Sequence, residues 1–225
     1  LGAGTAIPSL ALFAELLSQS ASSTRKTHFT FADYNAVVLR LVTLPNLLLT
    51  WNYVVNLRQR QSGQVQSQDK HEGGEEEQEE EELDITPELL EAFQQDLANR
   101  GISVDFISGV WSPAFVDLAF PSGTDGRYNQ TLILASETIY SPSSLGAFSE
   151  TLLALMRRSA AAQGSKTRAL VAAKKVYFGV GGGVDEFLAV LRDIGSQEVE
   201  VKQTVDVKSE GVGRVVLDIV PVEKR

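Results

Sequence analysis

The stretch QTLILASETIY, residues 130–140, decides the fold class that this 225-residue chain predicts. Its apolar run is typical of a parallel strand that is buried on both faces. A helical pattern follows at 144–161, and TRALVAAKKVYFGVGGG at 167–183 predicts another strand that runs into a glycine-rich loop. Strands that alternate with helices predict an α/β fold with a doubly wound, mostly parallel sheet.

The same alternation extends over the rest of the chain. Thr86 as N-cap, Pro87 in the first turn and Gly101 beyond the last turn predict a helix with defined ends. Pro45 must kink or split another helix, because proline cannot donate the helical hydrogen bond. The other predicted elements are helices at 7–20, 35–57 and 184–195, strands at 27–33 and 102–109, and an antiparallel C-terminal hairpin at 197–208 and 213–224.

The composition narrows the class of protein. The chain has 43% hydrophobic residues and no cysteine, which fits a globular protein without disulfides or cysteine-bound zinc. Its two histidines, His28 and His71, are too far apart in sequence to suggest a histidine-rich metal site. There is no secretory signal pattern, and no apolar run of the length that spans a bilayer is apparent, which predicts a soluble protein.

The formal net charge of −9 argues against a nucleic-acid-binding surface and would suit a basic protein partner. Much of this charge lies in HEGGEEEQEEEELD at 71–84, and a block of like charges repels itself. We therefore expect a single domain over 1–225 that carries a disordered acidic insertion at about 60–84. The insertion is either a solvated spacer or an electrostatic lure for a basic substrate.

A glycine turn and an acid form the first candidate binding site. In LGAGTA at 1–6, Gly2 and Gly4 permit a tight turn and a close approach of the backbone to a ligand, although a plain strand-to-helix turn is the alternative. The turn lacks the Lys-Ser/Thr pair of a Walker-type phosphate loop. The next predicted strand ends at Asp33, where an acid can accept hydrogen bonds from ribose hydroxyls. The two features together indicate a ligand that contains a nucleoside.

Two later strand ends carry further candidates. Trp111 follows the strand at 102–109 and either stacks on a purine or belongs to the core. Glu137 and Tyr140 follow a buried strand and would lie beside the same crevice. A carboxylate is costly there unless another group pairs with it, although Glu137 could also cap a helix or stabilise a loop.

Four segments after LGAGTAIPSL together resemble a known family. In order they are FADYNAVVLRLVTLPNLLLTW at 31–51, SGVW at 108–111, LILASETIYS at 132–141 and AAKKVYFGVGGGVDEF at 172–187. They resemble the eukaryotic, fungal-type protein-histidine N-methyltransferases, which belong to the seven-β-strand methyltransferases that use S-adenosyl-L-methionine. The resemblance covers nearly the whole chain outside the acidic insertion. It implies methylation of a histidine side chain in a protein, typically a ribosomal protein of the large subunit.

The resemblance also implies a sheet order of 3-2-1-4-5-7-6 and a role for particular residues. Catalytic roles fall to Glu137 and Tyr140. A substrate channel would be walled by Tyr177, Phe178, Gly179 and Gly181. The implied cofactor-binding residues are Gly2, Ala3, Gly4, Thr5, Asp33, Tyr34, Asn35, Gly109, Trp111 and Ser136.

The chain departs from the family pattern in two places. The strand that precedes LGAG in the family is missing, which would leave strands 2 and 4 with unpaired inner edges. We therefore expect an N-terminally truncated chain with a missing or incomplete first strand. Val110 stands where relatives often carry an acid, so adenine recognition would rest on Trp111 and the backbone.

The chemistry implied by the resemblance needs little base strength. A neutral imidazole, with an ordinary pKa of about 6.5, already has the lone pair that attacks a methyl group. Glu137, or a backbone carbonyl near it, would accept the other ring N–H, and Tyr140 would pack against the ring. Two other classes stay open: a non-catalytic acidic binder of a basic ribosomal protein, and a lysine methyltransferase. We expect a cytoplasmic and nuclear monomer without a nucleic-acid or membrane partner.

Overall fold

The computed structural model describes residues 1–19, 26–62, 82–120, 130–161, 164–195, 197–207 and 211–222. They form two compact units. The first contains Leu1–Gly4, Thr30–Arg40 and Asp105–Arg225, and the second contains Thr5–Phe29 and Leu41–Val104. Most of the predicted acidic insertion lies outside the described residues.

A four-stranded mixed sheet forms the centre of the first unit, in the order β3-β4-β6-β5. Strands β3 and β4 are parallel, whereas β6 is antiparallel to both β4 and β5. The predicted antiparallel pairing of the last two strands is therefore confirmed, while residues 208–210 of their connection lie outside the described residues. The strands are β3 Gln130–Ser136, β4 Lys166–Lys174, β5 Val199–Val207 and β6 Arg214–Pro221.

Helices α5 Pro113–Ala119, α6 Pro142–Ser159 and α7 Val184–Gly195 cover this sheet. The apolar face of α6 is buried in the same cluster as the alternate residues of β4 that point away from solvent. Helix α5 was not predicted from the sequence. Its start nevertheless carries the usual signal, since the Ser112 side chain accepts a hydrogen bond from the Phe115 N–H at 3.3 Å.

Strands β1 Thr27–Asp33 and β2 Ile102–Ser108 form a separate two-stranded sheet. Where the strands begin, the Thr27 N–H donates to the Gly101 carbonyl, and where they end, the Gly109 N–H donates to the Asp33 carbonyl. The two strands therefore run parallel. The described residues thus contribute six strands in two sheets rather than one seven-stranded sheet. Their orders match the expected 3-2 and 4-5-7-6 that remain when strand 1 is left out, and the seven-stranded sheet stays a prediction.

Three helices make up most of the second unit: α1 Ile7–Ser18, α3 Leu44–Ser62 and α4 Pro87–Asn99. The predicted N-cap of α4 is confirmed, because the Thr86 side chain accepts the Leu89 N–H at 3.2 Å. Asp96 on the same helix accepts a hydrogen bond from the Trp51 indole at 2.9 Å and so ties α4 to α3.

The helix around Pro45 is interrupted as predicted, but by a local change of winding. A short helix α2 at Ala36–Val38 continues through a π-helical turn at Leu39–Thr43 into α3. The wider turn immediately precedes Pro45, which cannot donate a helical hydrogen bond. Helix α3 extends to Ser62, and residues 63–81 of the predicted insertion lie outside the described residues.

The expectation that no apolar segment is long enough to cross a bilayer is wrong for one helix of the described residues. The most apolar 18-residue stretch within Ala36–Leu57 has a mean hydropathy of 1.3, and 33% of this stretch is buried. Length and composition do not distinguish a membrane-spanning helix from a core helix. Leu47, Leu48 and Trp51 of this helix are buried.

Candidate active site

The glycine turn at the beginning of the chain lies between two strands of the first unit. The Leu1 nitrogen donates to the Leu134 carbonyl at 2.6 Å, and the Ala3 N–H donates to the Ala32 carbonyl at 2.8 Å. Gly2 and Gly4 both adopt the left-handed conformation that glycine permits. A Cβ atom at Gly2 would lie only 2.7 Å from the methyl group of Thr138, so the turn also needs glycine for space.

Asp33 joins three chain segments at the ends of β1 and β2. One of its carboxylate oxygens accepts the Gly4 N–H at 3.1 Å, and the other accepts the Asn35 N–H at 3.0 Å. Its carbonyl accepts the Gly109 N–H. Each carboxylate oxygen keeps a further lone pair, so Asp33 can still accept hydrogen bonds from a ligand. The structure therefore brings Gly4, Asp33 and Gly109 together, as a ribose site would require.

The other candidate cofactor residues have more varied surroundings. Tyr34 is exposed, and Asn35 caps α2 by accepting the Val37 N–H at 2.9 Å. Ser136 is exposed at the end of β3. Thr5 belongs to the second unit, where its carbonyl accepts a hydrogen bond from the Asn46 side chain.

Trp111 has the core contacts that were one of its two alternatives. Its ring meets the rings of Phe115 and Phe148 edge to face, with centroids 5.2 and 5.9 Å apart. These contacts fix the orientation of the indole at the edge of the core. A role of Trp111 in framing an adenine stays a prediction.

One buried polar atom beside the glycine turn provides a test of whether a ligand fits there. The Thr138 hydroxyl is buried and has no hydrogen-bond partner among the described residues, although a buried hydroxyl usually has one. Its methyl group is the atom that approaches Gly2. The S-adenosylmethionine that the resemblance implies carries hydroxyl and charged groups that could pair with the Asp33 carboxylate and this hydroxyl. Among the described residues, no three histidine or acidic side chains form a group that could hold a metal ion.

Glu137 occupies an unusual backbone position directly after β3. Its φ angle of 54° is uncommon for a residue other than glycine, and its N–H donates to the Ala172 carbonyl at 2.9 Å. Its carboxylate lies 4.0 Å from the guanidinium of Arg214 at the beginning of β6. The Glu137 side chain is 44% exposed, so the expected cost of a buried carboxylate does not arise, and Arg214 is a neighbour that the sequence did not indicate.

Tyr177, one of the predicted channel-wall residues, is buried, and its role in a channel stays a prediction. Its side chain is only 8% exposed, its hydroxyl accepts the Lys174 N–H at 3.2 Å, and its ring lies 6.3 Å from that of Tyr140. Burial raises the pKa of Tyr177 above its ordinary value, and a hydrogen bond to Glu137 raises it further. Phe178, the next residue, is 79% exposed. Of this pair, Phe178 is therefore the residue whose exposure suits a channel wall.

The glycines at 179–183 let this loop pack against the backbone that follows Glu137. Gly179 and Gly181 have φ angles of 80° and 79°, and Val176 pairs with Gly183 across the loop. A Cβ atom at Gly182 would collide with the Tyr140 carbonyl oxygen. The structure therefore brings the predicted catalytic and substrate segments side by side.

The raised pKa of Tyr177 predicts how stability depends on pH. The folded chain holds the phenol proton at pH values where the unfolded chain releases it, which is above the ordinary pKa of about 10. The contribution of Tyr177 to the free energy of unfolding is therefore complete below about pH 10. It is lost as the pH rises further, by up to about 1.4 kcal/mol per pH unit.

We expect the free energy of unfolding of Tyr177→Phe, measured by urea titration, to fall less than that of the wild type above about pH 10. Tyr53→Phe, which changes an exposed tyrosine, is the matched control and should follow the wild-type curve. Parallel curves for wild type and Tyr177→Phe would contradict the argument.

Comparison with known proteins identifies relatives of this chain. The chain is homologous to protein methyltransferases over most of its own length. These relatives are proteins named histidine protein methyltransferase 1, from Saccharomyces cerevisiae, 39% identical over 202 residues, and from Schizosaccharomyces pombe, 36% identical over 217 residues. A mouse protein named as their homologue is 30% identical over 203 residues.

The matches cover 89%, 96% and 90% of this chain, and 51%, 55% and 45% of the respective relatives. The chain thus spans about half the length of the curated relatives it matches. No protein-family model matches it.

Proposed function

We propose that this chain transfers a methyl group from S-adenosyl-L-methionine to a histidine side chain in a protein. The observation that carries the proposal is the joining of the glycine turn to the end of β1 by the hydrogen bond from Gly4 to Asp33. The names of the relatives support a protein histidine as the acceptor.

The cofactor would be held by the carboxyl ends of the strands. Asp33 would accept hydrogen bonds from the ribose hydroxyls, and the turn at Gly2 and Gly4 would approach the amino-acid part of the molecule. The buried Thr138 hydroxyl is available for one of its polar groups. When bound there, S-adenosylmethionine would supply an electrophilic methyl group.

The acceptor side would be formed by Glu137 and Tyr140. A neutral imidazole gains positive charge when one nitrogen is methylated, and the proton on its other nitrogen then becomes more acidic. The Glu137 carboxylate, accepting a hydrogen bond from that N–H, would select the reactive tautomer and balance the new charge. The half-exposed ring of Tyr140 would pack against the imidazole.

The proposed substrate is a basic protein, with a ribosomal protein of the large subunit as the first choice. The net charge of −9 would favour its approach, and the exposed side chain of Phe178 would contact it beside the crevice. Such a substrate would place the chain in the cytoplasm and nucleus, acting as a monomer.

The test is to incubate the chain with methyl-labelled S-adenosylmethionine and a fraction of basic ribosomal proteins, and to identify the labelled amino acid after acid hydrolysis. We expect methylhistidine, and none with an Asp33→Ala variant. Label in methyllysine would favour a lysine methyltransferase instead. Absence of label, together with salt-sensitive binding of the basic proteins, would favour a non-catalytic acidic binder.

A further inference from the structure

We propose that Tyr177 and Arg214 position the carboxylate of Glu137 for the methyl-transfer reaction. This inference rests on the proposed function and adds two positioning residues to it. Neither residue needs to touch the substrate, because both act on the side chain that would. The positions of both residues are set by strands β4 and β6 of the four-stranded sheet.

The direction of the Tyr177 proton follows from the partners of its hydroxyl. The Lys174 N–H donates to that oxygen at 3.2 Å, so the phenol accepts on this side. Its own proton is then free for another acceptor, and the Glu137 carboxylate is the group that adds to the effect of burial in raising the pKa of the phenol. The ring cannot easily turn away, because it is buried.

The guanidinium of Arg214 approaches the same carboxylate from another strand. Arg214 lies opposite Lys174 in the antiparallel pairing of β4 with β6. Lys174 is itself three residues before Tyr177 in the chain. This register places Arg214 Nε 4.0 Å from Glu137 Oε1. The two groups therefore approach the carboxylate from two different elements: Tyr177 follows the end of β4, and Arg214 begins β6.

Glu137 needs such positioning because its own surroundings constrain it little. Its side chain is 44% exposed, and a free glutamate of this kind samples several rotamers. The charged and titratable groups beside it are Tyr177 and Arg214, and the Lys174 ammonium group lies 5.7 Å from the centre of the Tyr177 ring. A carboxylate held in one orientation can accept a substrate N–H without losing rotamer freedom at the reaction step.

The experiment is a double-mutant cycle on methyl transfer at saturating cofactor and substrate. Tyr177→Phe keeps the buried ring and removes only the hydroxyl, and Arg214→Gln removes the charge. We expect each to lower kcat about 10-fold in the wild-type background and less than about 2-fold in a Glu137→Gln background, with the KM for S-adenosylmethionine unchanged. Arg214→Lys, which keeps the charge, should restore most of the rate.

Matched control variants separate this effect from general destabilisation. Arg168→Gln removes an arginine of equal exposure, 54% against 53%, that pairs with Asp218 near the opposite end of β4. Tyr53→Phe is the control for the lost phenol. Both controls should keep the wild-type kcat. Equal losses for Tyr177→Phe in the two backgrounds, or no loss in either, would overturn the proposal.

A measurement that does not depend on activity tests the contact itself. Ultraviolet titration of the tyrosines, with Tyr177→Phe as the blank, gives the pKa of Tyr177 in the wild type and in Glu137→Gln. We expect this pKa to fall in Glu137→Gln, because the phenol proton loses its charged acceptor. An unchanged pKa would overturn the contact. A lowered pKa in a chain that produces no methylhistidine would support the contact and count against the proposed function alone.

Discussion

Replacing Asp33 by alanine is expected to raise the dissociation constant for S-adenosylmethionine about 100-fold or more. A hydrogen bond to a charged group contributes about 1.5–3 kcal/mol, and two ribose hydroxyls bound to one carboxylate therefore account for at least about 3 kcal/mol. The substitution also removes the acceptors of the Gly4 and Asn35 N–H groups, so the turn itself loses its attachment to β1. Isothermal titration calorimetry with the purified chain measures the change directly.

Two further variants make this result specific. Asp33→Asn keeps one carbonyl oxygen for the Gly4 N–H but lacks the charge, so its affinity should lie between those of the wild type and Asp33→Ala. Asp117→Ala removes an aspartate that pairs with Arg158 on the helical side of the unit and should bind the cofactor normally. A dissociation constant that stays within about 2-fold of wild type in Asp33→Ala would remove the ribose role from Asp33.

Local sequence signals predicted most of the helices and strands. Helix α4 is the clearest case, because its cap at Thr86 and its left-handed Gly101 are determined by neighbours within the same turn. Helix α5 was not predicted from the sequence. Ser112 and Pro113 are a typical helix start, but they directly follow Trp111, which was interpreted as a ligand-binding or core residue. The π-helical turn before Pro45 was also out of reach, since a proline indicates where a helix must adjust but not how.

The sequence predicted those parts of the candidate site whose position is set by one strand end and the turn beside it. The end of β1 at Asp33 follows from its own alternation of residues, and the glycine turn follows from composition. The pairing of Glu137 with Arg214 depends instead on how β6 aligns with β4, and these residues are far apart in the chain. The burial of Tyr177 likewise depends on packing, whereas the motif that contains it indicated only a glycine-rich loop. The part of the site that depends on local sequence was therefore predictable, whereas the part that depends on the register between distant strands was not.

Replacing Glu137 by glutamine is expected to lower the rate of methyl transfer to histidine about 100-fold while leaving the affinity for S-adenosylmethionine unchanged. The substitution keeps the size of the side chain and an oxygen that can accept a hydrogen bond, but it removes the charge that balances the methylated imidazole. Losing one preorganised electrostatic contact of this kind costs about 10²–10³ in kcat.

Single-turnover kinetics with saturating cofactor isolate this step from cofactor binding and product release. Glu150→Gln, at an exposed position of α6, supplies the control for the lost charge and should react at the wild-type rate. If Glu137→Gln transfers the methyl group as fast as the wild type, charge balance by Glu137 is excluded, and a backbone carbonyl near it becomes the acceptor of the imidazole N–H. If it binds the cofactor poorly instead, Glu137 belongs to the cofactor site rather than to the acceptor side.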